Sequence, residues 1–246
     1  MIPRLLERSR ILVALSLACA LALLGACGDR RAEAQDLGLV LTTPGAAPVP
    51  QVARDVRPGI SAADPARLLV IGDSLADGFG QLLVQRAPAR DLPIDVTNRG
   101  RVSTGLSRAD YYNWPDAFDD MVAVLDPDII VAHFGANDMQ TILAPEGRTG
   151  YGTEEWEGAY REQIRKILET AARNDIVVYW IGPGPDGNTN LNRHLAMVNP
   201  LYEDEVEAAG GIFFPLDWTT GPGGTFARSV EIGGETVAMR TSDGSH

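Results

Sequence analysis

The sequence predicts an α/β protein, a three-layer α/β/α sandwich around a central parallel sheet. Short, wholly apolar runs recur from Arg67 onward, segments with helical periodicity separate them, and turn residues mark the junctions. Such runs are typical of strands that are buried on both faces. Strands that alternate with helices favour a parallel sheet covered by helices.

The predicted elements follow one another in a regular order. Residues 68–71 form the first apolar run, and the apolar positions in residues 75–83 then recur at helical spacing. Residues 128–134 form a second buried strand, and Thr153 can cap a long helix with one apolar stripe. The remaining elements are a strand over 176–181, a helix from about 191 to 209 that Pro200 disturbs, a strand over 211–216, and a hairpin over 230–237 with Gly-Gly as its turn.

The 246 residues divide into a leader, a tether and one domain. Basic residues precede an apolar run over residues 11–26, which is short for a membrane-spanning helix but typical of a secretory signal. We therefore expect a signal peptide over residues 1–26. Residues 27–66 contain scattered prolines without periodicity, which predicts a flexible tether, and residues 67–246 form the domain.

The end of the leader, LGAC at residues 24–27, resembles the lipobox of bacterial lipoproteins. The resemblance implies that Cys27 carries a lipid and becomes the mature N-terminus. The exported protein would then be anchored in a bacterial cell envelope and face the periplasm. The alternative is an ordinary signal peptide in which Cys27 is incidental.

Composition argues against several classes of function. The net charge of −12 is unfavourable for nucleic acid as a partner, because phosphate binding requires clustered basic residues. Cys19 and Cys27 are the only cysteines, so the domain has no thiol for a disulfide, a zinc site or a nucleophile. The histidines show no metal-ligand spacing, and His133 and His194 are interpreted as structural. We expect no metal and no cofactor.

Ser74 is the candidate nucleophile. It lies between the first strand and the first helix, and ligands of open parallel sheets bind beyond the carboxyl ends of the strands. At that position the hydroxyl can face the crevice, and the backbone N–H at the start of the helix can help to hold an oxyanion. The alternative is that Ser74 only caps the helix.

Three further segments carry groups that could act with Ser74. The side-chain amide of Asn137, which follows the second strand, could donate to an oxyanion or could make local turn bonds instead. Residues 103–106 form a loop that could present a backbone N–H to the same point. Asp243 and His246 are three residues apart, so one turn can bring the carboxylate and the imidazole together.

Together these segments resemble the GDSL, or SGNH, hydrolase superfamily. GDSL at residues 72–75 matches its first block, residues 98–105 resemble its glycine block, GAND at 135–138 matches its GxND block, and DGSH at 243–246 matches its DxxH block. The blocks occur in the order of the family and span nearly all of residues 67–246. The resemblance implies the flavodoxin-like sandwich of that superfamily.

The resemblance also implies roles for individual residues. Ser74 would be the nucleophile, His246 the base, and Asp243 the group that orients the base. The oxyanion hole would consist of the Ser74 amide, the Gly105 amide and the Asn137 side chain, with Gly100 as a replacement for Gly105. Family members usually continue past DxxH into a closing helix, so we expect a domain that lacks this helix.

The function implied is that of a serine esterase, acting on O-acyl groups of envelope glycans or on small esters. One alternative is an O-acyltransferase with the same triad, and another is a catalytically silent module that binds envelope glycans. The aromatic residues within 108–115 could line an acyl or sugar pocket, or they could form a surface packing patch.

Overall fold

A parallel sheet of five strands forms the middle layer of the protein in its computed structural model, which describes residues 49–144, 147–216 and 225–238. The strands correspond to the apolar runs of the sequence, apart from one edge strand. They are β1 (Ala66–Gly72), β2 (Ile94–Asn98), β3 (Ile129–His133), β6 (Val177–Gly182) and β7 (Ile212–Pro215). Their order in the sheet is β2-β1-β3-β6-β7, with parallel pairing throughout.

Helices cover both faces of this sheet. They are α1 (Ser74–Arg86), α2 (Trp114–Leu125), α3 (Glu154–Arg173) and α4 (Thr189–Ala208). Successive residues of β1 alternate between two apolar clusters: Leu68 packs in the cluster that includes α1, and Leu69 packs in the cluster that includes the other three helices. The predicted α/β/α sandwich is therefore confirmed.

The strand order places a crevice where the predicted nucleophile lies. β1 has β2 on one side and β3 on the other, so the chain reverses its direction of travel across the sheet between β1 and β3. Gly72 and His133, the last residues of β1 and β3, are register partners. Parallel sheets bind ligands beyond the carboxyl ends of strands at such a switch point. We call this side of the sheet the carboxyl edge.

Two hairpins lie outside the main sheet. β4 (Ile142–Ala144) pairs with β5 (Gly147–Thr149), which the sequence did not predict. β8 (Ser229–Ile232) pairs with β9 (Glu235–Ala238), as predicted, and Gly233 and Gly234 form its turn with φ values of 63° and 84°. Two successive positive φ angles are what the favoured two-residue hairpin turn requires, and glycine adopts them without strain.

The prediction of a flexible tether up to residue 66 is wrong in its last part. Val52 is buried and its N–H donates to Ala209 O at 2.9 Å. Arg57 Nε donates to Asp128 Oδ1 at 3.0 Å, and Asp128 is itself buried. An apolar side chain and an ion pair fix this segment, although its prolines exclude regular structure. The predicted signal peptide and the earlier part of the tether lie outside the described residues.

Pro200 does not interrupt α4, contrary to the prediction. The helix continues from Thr189 to Ala208 with Pro200 inside it. Proline removes one intrahelical hydrogen bond, but the buried side chains on either side of it, including Val198 and Leu201, hold both halves against the sheet. None of the helices in the described ranges is long and apolar enough to cross a membrane.

Candidate active site

Ser74 is the first residue of α1 and lies at the carboxyl edge. Asp73, not Ser74, is the N-cap, because its carboxylate accepts a hydrogen bond from the backbone N–H of Leu75 at 2.9 Å. The interpretation of Ser74 as a mere cap is therefore wrong. Its backbone N–H is instead one of the first amides of the helix, where the helix dipole favours negative charge.

The Asp73 carboxylate connects the GDSL segment at residues 72–75 with the GAND segment at residues 135–138. Its Oδ1 holds the start of α1, and its Oδ2 accepts the N–H of Ala136 at 3.1 Å. The Asp73 N–H donates to His133 O at 3.2 Å, so the two segments are also bonded through their backbones. Asp73 is completely buried, and this burial raises the pKa of its carboxyl group, against the opposing effects of His133 and the two amide donors.

Asn137 is tied to the loop that contains the glycine block. Its Nδ2 donates to Thr104 O at 2.9 Å. Trp114 anchors the loop to the core, because it is fully buried and its indole N–H donates to Thr104 Oγ1 at 3.0 Å. The loop is held at its start by the Arg101 N–H, which donates to Gly72 O at 2.8 Å. The structure therefore brings Asn137 and the glycine block together beside the strand that leads to Ser74.

The same contacts argue against Gly105 as an oxyanion donor alongside Asn137. The Gly105 N–H belongs to the same trans peptide group as the Thr104 carbonyl, so the two point in opposite directions. Because that carbonyl faces the Asn137 amide, the Gly105 N–H faces away from it. A Cβ at position 105 would lie 2.2 Å from Asp138 Oδ1, so this glycine is required for close packing. The Gly100 N–H is bonded to Asn98 Oδ1 at 3.0 Å.

A buried network that sequence reasoning missed supports these loops. Asp138 accepts the Ser107 N–H at 2.8 Å and the Tyr160 hydroxyl at 2.8 Å. Tyr160 has a single hydroxyl proton, so Tyr202, 2.5 Å away, donates to Tyr160 in turn. Burial raises the pKa of both phenols well above the ordinary value, which keeps them protonated as donors. The network connects both candidate loops to α3 and α4.

The aromatic residues within 108–115 do not line the crevice near Ser74. Trp114 is a core residue, as described above, and Tyr112 packs edge-on against it with ring centroids 4.9 Å apart. The Arg101 guanidinium lies 4.4 Å from the centre of the Tyr112 ring. Tyr111 is 60% exposed. These aromatic residues therefore form neither a pocket near Ser74 nor a purely surface patch. Trp114 and Tyr112 pack against the loop of the glycine block and support it.

Both described histidines donate a ring N–H to a backbone carbonyl. His194 Nε2 lies 3.1 Å from Gly135 O and must carry its proton, since a carbonyl only accepts. Its Nδ1 therefore accepts from the Tyr151 hydroxyl at 2.9 Å. His133 Nδ1 donates to Ile181 O at 2.7 Å, and Nε2 is the ring nitrogen that this bond does not use. These contacts agree with the structural interpretation of both residues, although His133 also borders the crevice.

A cavity of about 350 Å³ opens beside Ser74 at the carboxyl edge. The elements around it are α1, the ends of β3 and β6, the loop that follows β6, and α4. Most of its walls are apolar, and Ser74, His133 and Asp186 are the side chains with polar atoms among the described lining residues. A mostly apolar cavity with a few polar groups is typical of sites for small ligands.

A family model described as "Protein of unknown function (DUF459)" matches residues 67–246, which is most of the chain. This chain belongs to the DUF459 family. No curated protein is similar enough to match it.

Solved structures of GDSL hydrolases share the fold of this DUF459 member. A GDSL-like lipase from Bacteroides thetaiotaomicron is 19% identical, with a TM-score of 0.50 over 73% of this chain and 78% of that chain. A protein from Bacteroides fragilis assigned as an acylhydrolase is 18% identical, with a TM-score of 0.51 over 73% and 77%. A protein from Desulfitobacterium hafniense assigned to the lipolytic G-D-S-L family is 16% identical, with a TM-score of 0.50 over 70% and 90%. The predicted resemblance to the GDSL superfamily is confirmed for the fold.

Part of the predicted site of this DUF459 member lies outside the described residues, namely Asp243, His246 and the lipidation residue Cys27. The chain that leads toward the first two does pass near the cavity. The Phe226 ring approaches to 2.9 Å from the point where a Cβ on Gly187 would lie, and Gly187 follows Asp186 of the cavity wall. Among the residues with described positions, no group of three or more His, Cys, Asp or Glu side chains is arranged to hold a metal.

The stability of the DUF459 domain should fall as the pH drops below about 6.5, the ordinary pKa of histidine, because of His194. Burial lowers the pKa of His194, so the unfolded chain binds a proton at a pH where the folded chain does not. This stabilisation is present above the ordinary pKa and is lost as the pH falls toward the lowered one, by at most about 1.4 kcal/mol per pH unit. Thermal unfolding should therefore depend more steeply on pH in the wild type than in His194→Gln, which keeps a donor for Gly135. Parallel curves would show that His194 makes no such contribution.

Proposed function

We propose that the protein is a serine esterase of the GDSL type that acts on O-acyl groups of envelope glycans or on small esters. Ser74 is the nucleophile, His246 is the general base, and Asp243 orients the base. The observation that carries the proposal is the position of Ser74 on the first turn of α1, beside a cavity and bonded through Asp73 to the segment that bears Asn137.

The described geometry supports the first chemical step. The Ser74 hydroxyl attacks the acyl carbon, and its proton passes to His246, which later protonates the leaving alcohol. Negative charge develops on the acyl oxygen near the first amides of α1, where the helix dipole stabilises it. Water then hydrolyses the acyl-enzyme by the same steps in reverse, with His246 activating the water.

Asn137 is the proposed side-chain donor to the oxyanion. A side-chain amide has two N–H groups, and one of them is used to hold Thr104 O. The second N–H remains for the acyl oxygen. Because the first bond fixes the plane of the amide, the second donor is oriented before substrate binds, which is the condition for effective transition-state stabilisation. Ser103, at the tip of the same loop, has a left-handed backbone with φ 61°, a conformation that is uncommon outside glycine and concentrates at functional sites.

Covalent capture tests the proposed nucleophile directly. A fluorophosphonate probe should modify the purified protein at Ser74, as read by peptide mass, and a short chromogenic ester should compete with the labelling. Labelling at another serine, or hydrolysis without any labelling at Ser74, would contradict the assignment. Absence of both labelling and hydrolysis would exclude an esterase and favour the glycan-binding alternative.

We further propose that Cys27 carries a lipid that anchors the exported protein in the envelope, on the basis of the LGAC sequence at residues 24–27. Replacing Cys27 with Ser should abolish metabolic labelling by an alkyne fatty acid and release the protein into the soluble exported fraction. Cys19→Ser is the matched control, because it changes the other cysteine, which lies inside the apolar run that precedes Cys27, and it should leave both properties intact. If Cys27→Ser is still labelled and still sediments with membranes, the anchor lies elsewhere.

A further inference from the structure

One face of α1 forms a wall of the cavity beside Ser74. Ser74, Gly78 and Leu82 are spaced four residues apart and lie on the same side of the helix, and Leu75 and Phe79 flank them. The face therefore begins at the proposed nucleophile and continues for two helical turns away from it. Leu82 is 54% exposed, so the cavity is open at that end.

The other walls of the cavity are also apolar over most of their area. Aliphatic side chains come from the end of β6, from the first half of α4 and from the residue after β7, while the loop after β6 adds a proline. These residues are Ile181, Leu191, Leu195, Leu216 and Pro185. Ser74 and His133, at the carboxyl ends of β1 and β3, are two of the three polar side chains of the wall, and the third is Asp186 in the loop after β6. The hydrocarbon surface along α1 continues from the nucleophile end.

Gly78 has no packing role that explains a glycine inside a helix. A Cβ at this position would have no heavy atom within 4 Å, whereas a Cβ at Gly80 would lie 2.4 Å from the side chain of Asn98. Glycine is unfavourable in helix interiors because it loses more backbone entropy than other residues. Gly80 is needed for contact with β2, whereas Gly78 is exposed and lies on the face of α1 that lines the cavity.

We propose that this cavity binds the unbranched acyl chain of the substrate ester, and that Gly78 keeps room for that chain. The inference rests on the proposed function, because the acyl carbon must lie at Ser74 for the chain to extend along α1. The eight steps along the helix from Ser74 to Leu82 correspond to about 12 Å, at about 1.5 Å per residue. An extended hydrocarbon chain of roughly eight to ten carbons has this length, given carbon–carbon bonds of about 1.5 Å. The preferred substrate is thus a medium-chain acyl ester, not an acetyl ester.

This arrangement predicts how activity depends on acyl length. Each methylene that enters the cavity should raise kcat/KM about three- to fourfold, the effect of burying one such group. The increase should stop at about eight to ten carbons, because further carbons pass Leu82 and reach solvent. A site for acetyl groups would show the opposite order.

The test compares Gly78→Leu with Gly158→Leu, using nitrophenyl octanoate and nitrophenyl acetate. Gly158 is the matched control, because it is an exposed glycine inside α3 whose Cβ would also meet nothing within 4 Å, and it lies away from the cavity. In Gly78→Leu the new side chain occupies the room of about four carbons, so the octanoate-to-acetate ratio of kcat/KM should fall about a hundredfold. In Gly158→Leu the ratio should equal that of the wild type. Equal ratios in all three proteins would overturn the proposal.

A binding measurement separates failure of this inference from failure of the proposed function. Decanoate binding to the wild type and to Gly78→Leu can be measured by calorimetry without any ester hydrolysis. Hydrolysis of acetate with no preference for longer chains and no decanoate binding would leave the esterase assignment intact and exclude the acyl cavity. Decanoate binding that Gly78→Leu weakens, without hydrolysis of either ester, would support the cavity and exclude the esterase.

Discussion

Replacing Ser74 with Ala is expected to lower kcat for ester hydrolysis by up to about a millionfold, the loss seen when other serine hydrolases lose a triad member. The domain offers no substitute nucleophile of the thiol type, because Cys19 and Cys27, the only cysteines, both precede residue 67. The fold should persist, since Asp73 still caps α1 and its carboxylate still bonds Ala136. Steady-state hydrolysis of a chromogenic ester measures the loss, and circular dichroism checks the fold.

Ser61→Ala is a suitable control for that experiment. Ser61 is exposed, lies five residues before β1 and is not among the described residues that line the cavity, so its loss should leave kcat unchanged. Substantial activity in a pure Ser74→Ala preparation, confirmed by peptide mass, would show that Ser74 is not the nucleophile.

Replacing His246 with Ala is expected to have the second largest effect, a loss of kcat of about ten-thousandfold to millionfold. A general base must reach the nucleophile by a hydrogen bond. His194 cannot serve, because both of its ring nitrogens are bonded to Gly135 and Tyr151. The wild-type rate should rise with pH as the base loses its proton, and this rise should disappear in the variant.

His133 is the competing base, because it borders the cavity and its Nε2 is not used by the bond to Ile181 O. His133→Asn retains a side-chain donor for Ile181 O and is the matched comparison. If His246 is the base, His133→Asn should keep the pH dependence of the wild type. The opposite pattern, in which His246→Ala is active and His133→Asn is not, would transfer the role to His133 and leave the proposed triad wrong.

Much of the fold could be predicted because the strands are buried on both faces. Residues 68–71 and 176–181 have no polar position, so their strand character is visible in the sequence. β2 could not be predicted in the same way, since it is an edge strand whose five residues are partly or fully exposed and mix polar with apolar side chains. The segment around Val52 was mistaken for a tether because its fixing contacts, to Ala209 and Asp128, are remote in sequence.

The candidate site divides in a similar way. The positions of Ser74 and Asn137 at the carboxyl edge were predicted, because both residues directly follow recognisable strands. The hydrogen bond from the Ala136 N–H to the Asp73 carboxylate was not predicted, since it joins residues that are 63 positions apart in the sequence. The hydrogen bond from the Tyr160 hydroxyl to Asp138 was not predicted either. In the sequence Tyr160 is one member of an apolar helical stripe, so nothing indicates a polar contact. The unfavourable direction of the Gly105 amide depends on a single peptide orientation, which spacing in a sequence does not specify.

The contacts of Val52 and Arg57 also have a practical consequence for attaching the protein to a solid support. Val52 meets the end of α4, and Arg57 meets Asp128 just before β3, so the first described residues attach at the amino-terminal edge of the sheet. The cavity lies at the other edge, beyond the seven residues of β1, or roughly 20 Å of strand. A bead or electrode coupled through a residue near Val52 would therefore lie at the amino-terminal edge of the sheet, away from the cavity. Esters in solution would reach Ser74 without passing between the support and the protein.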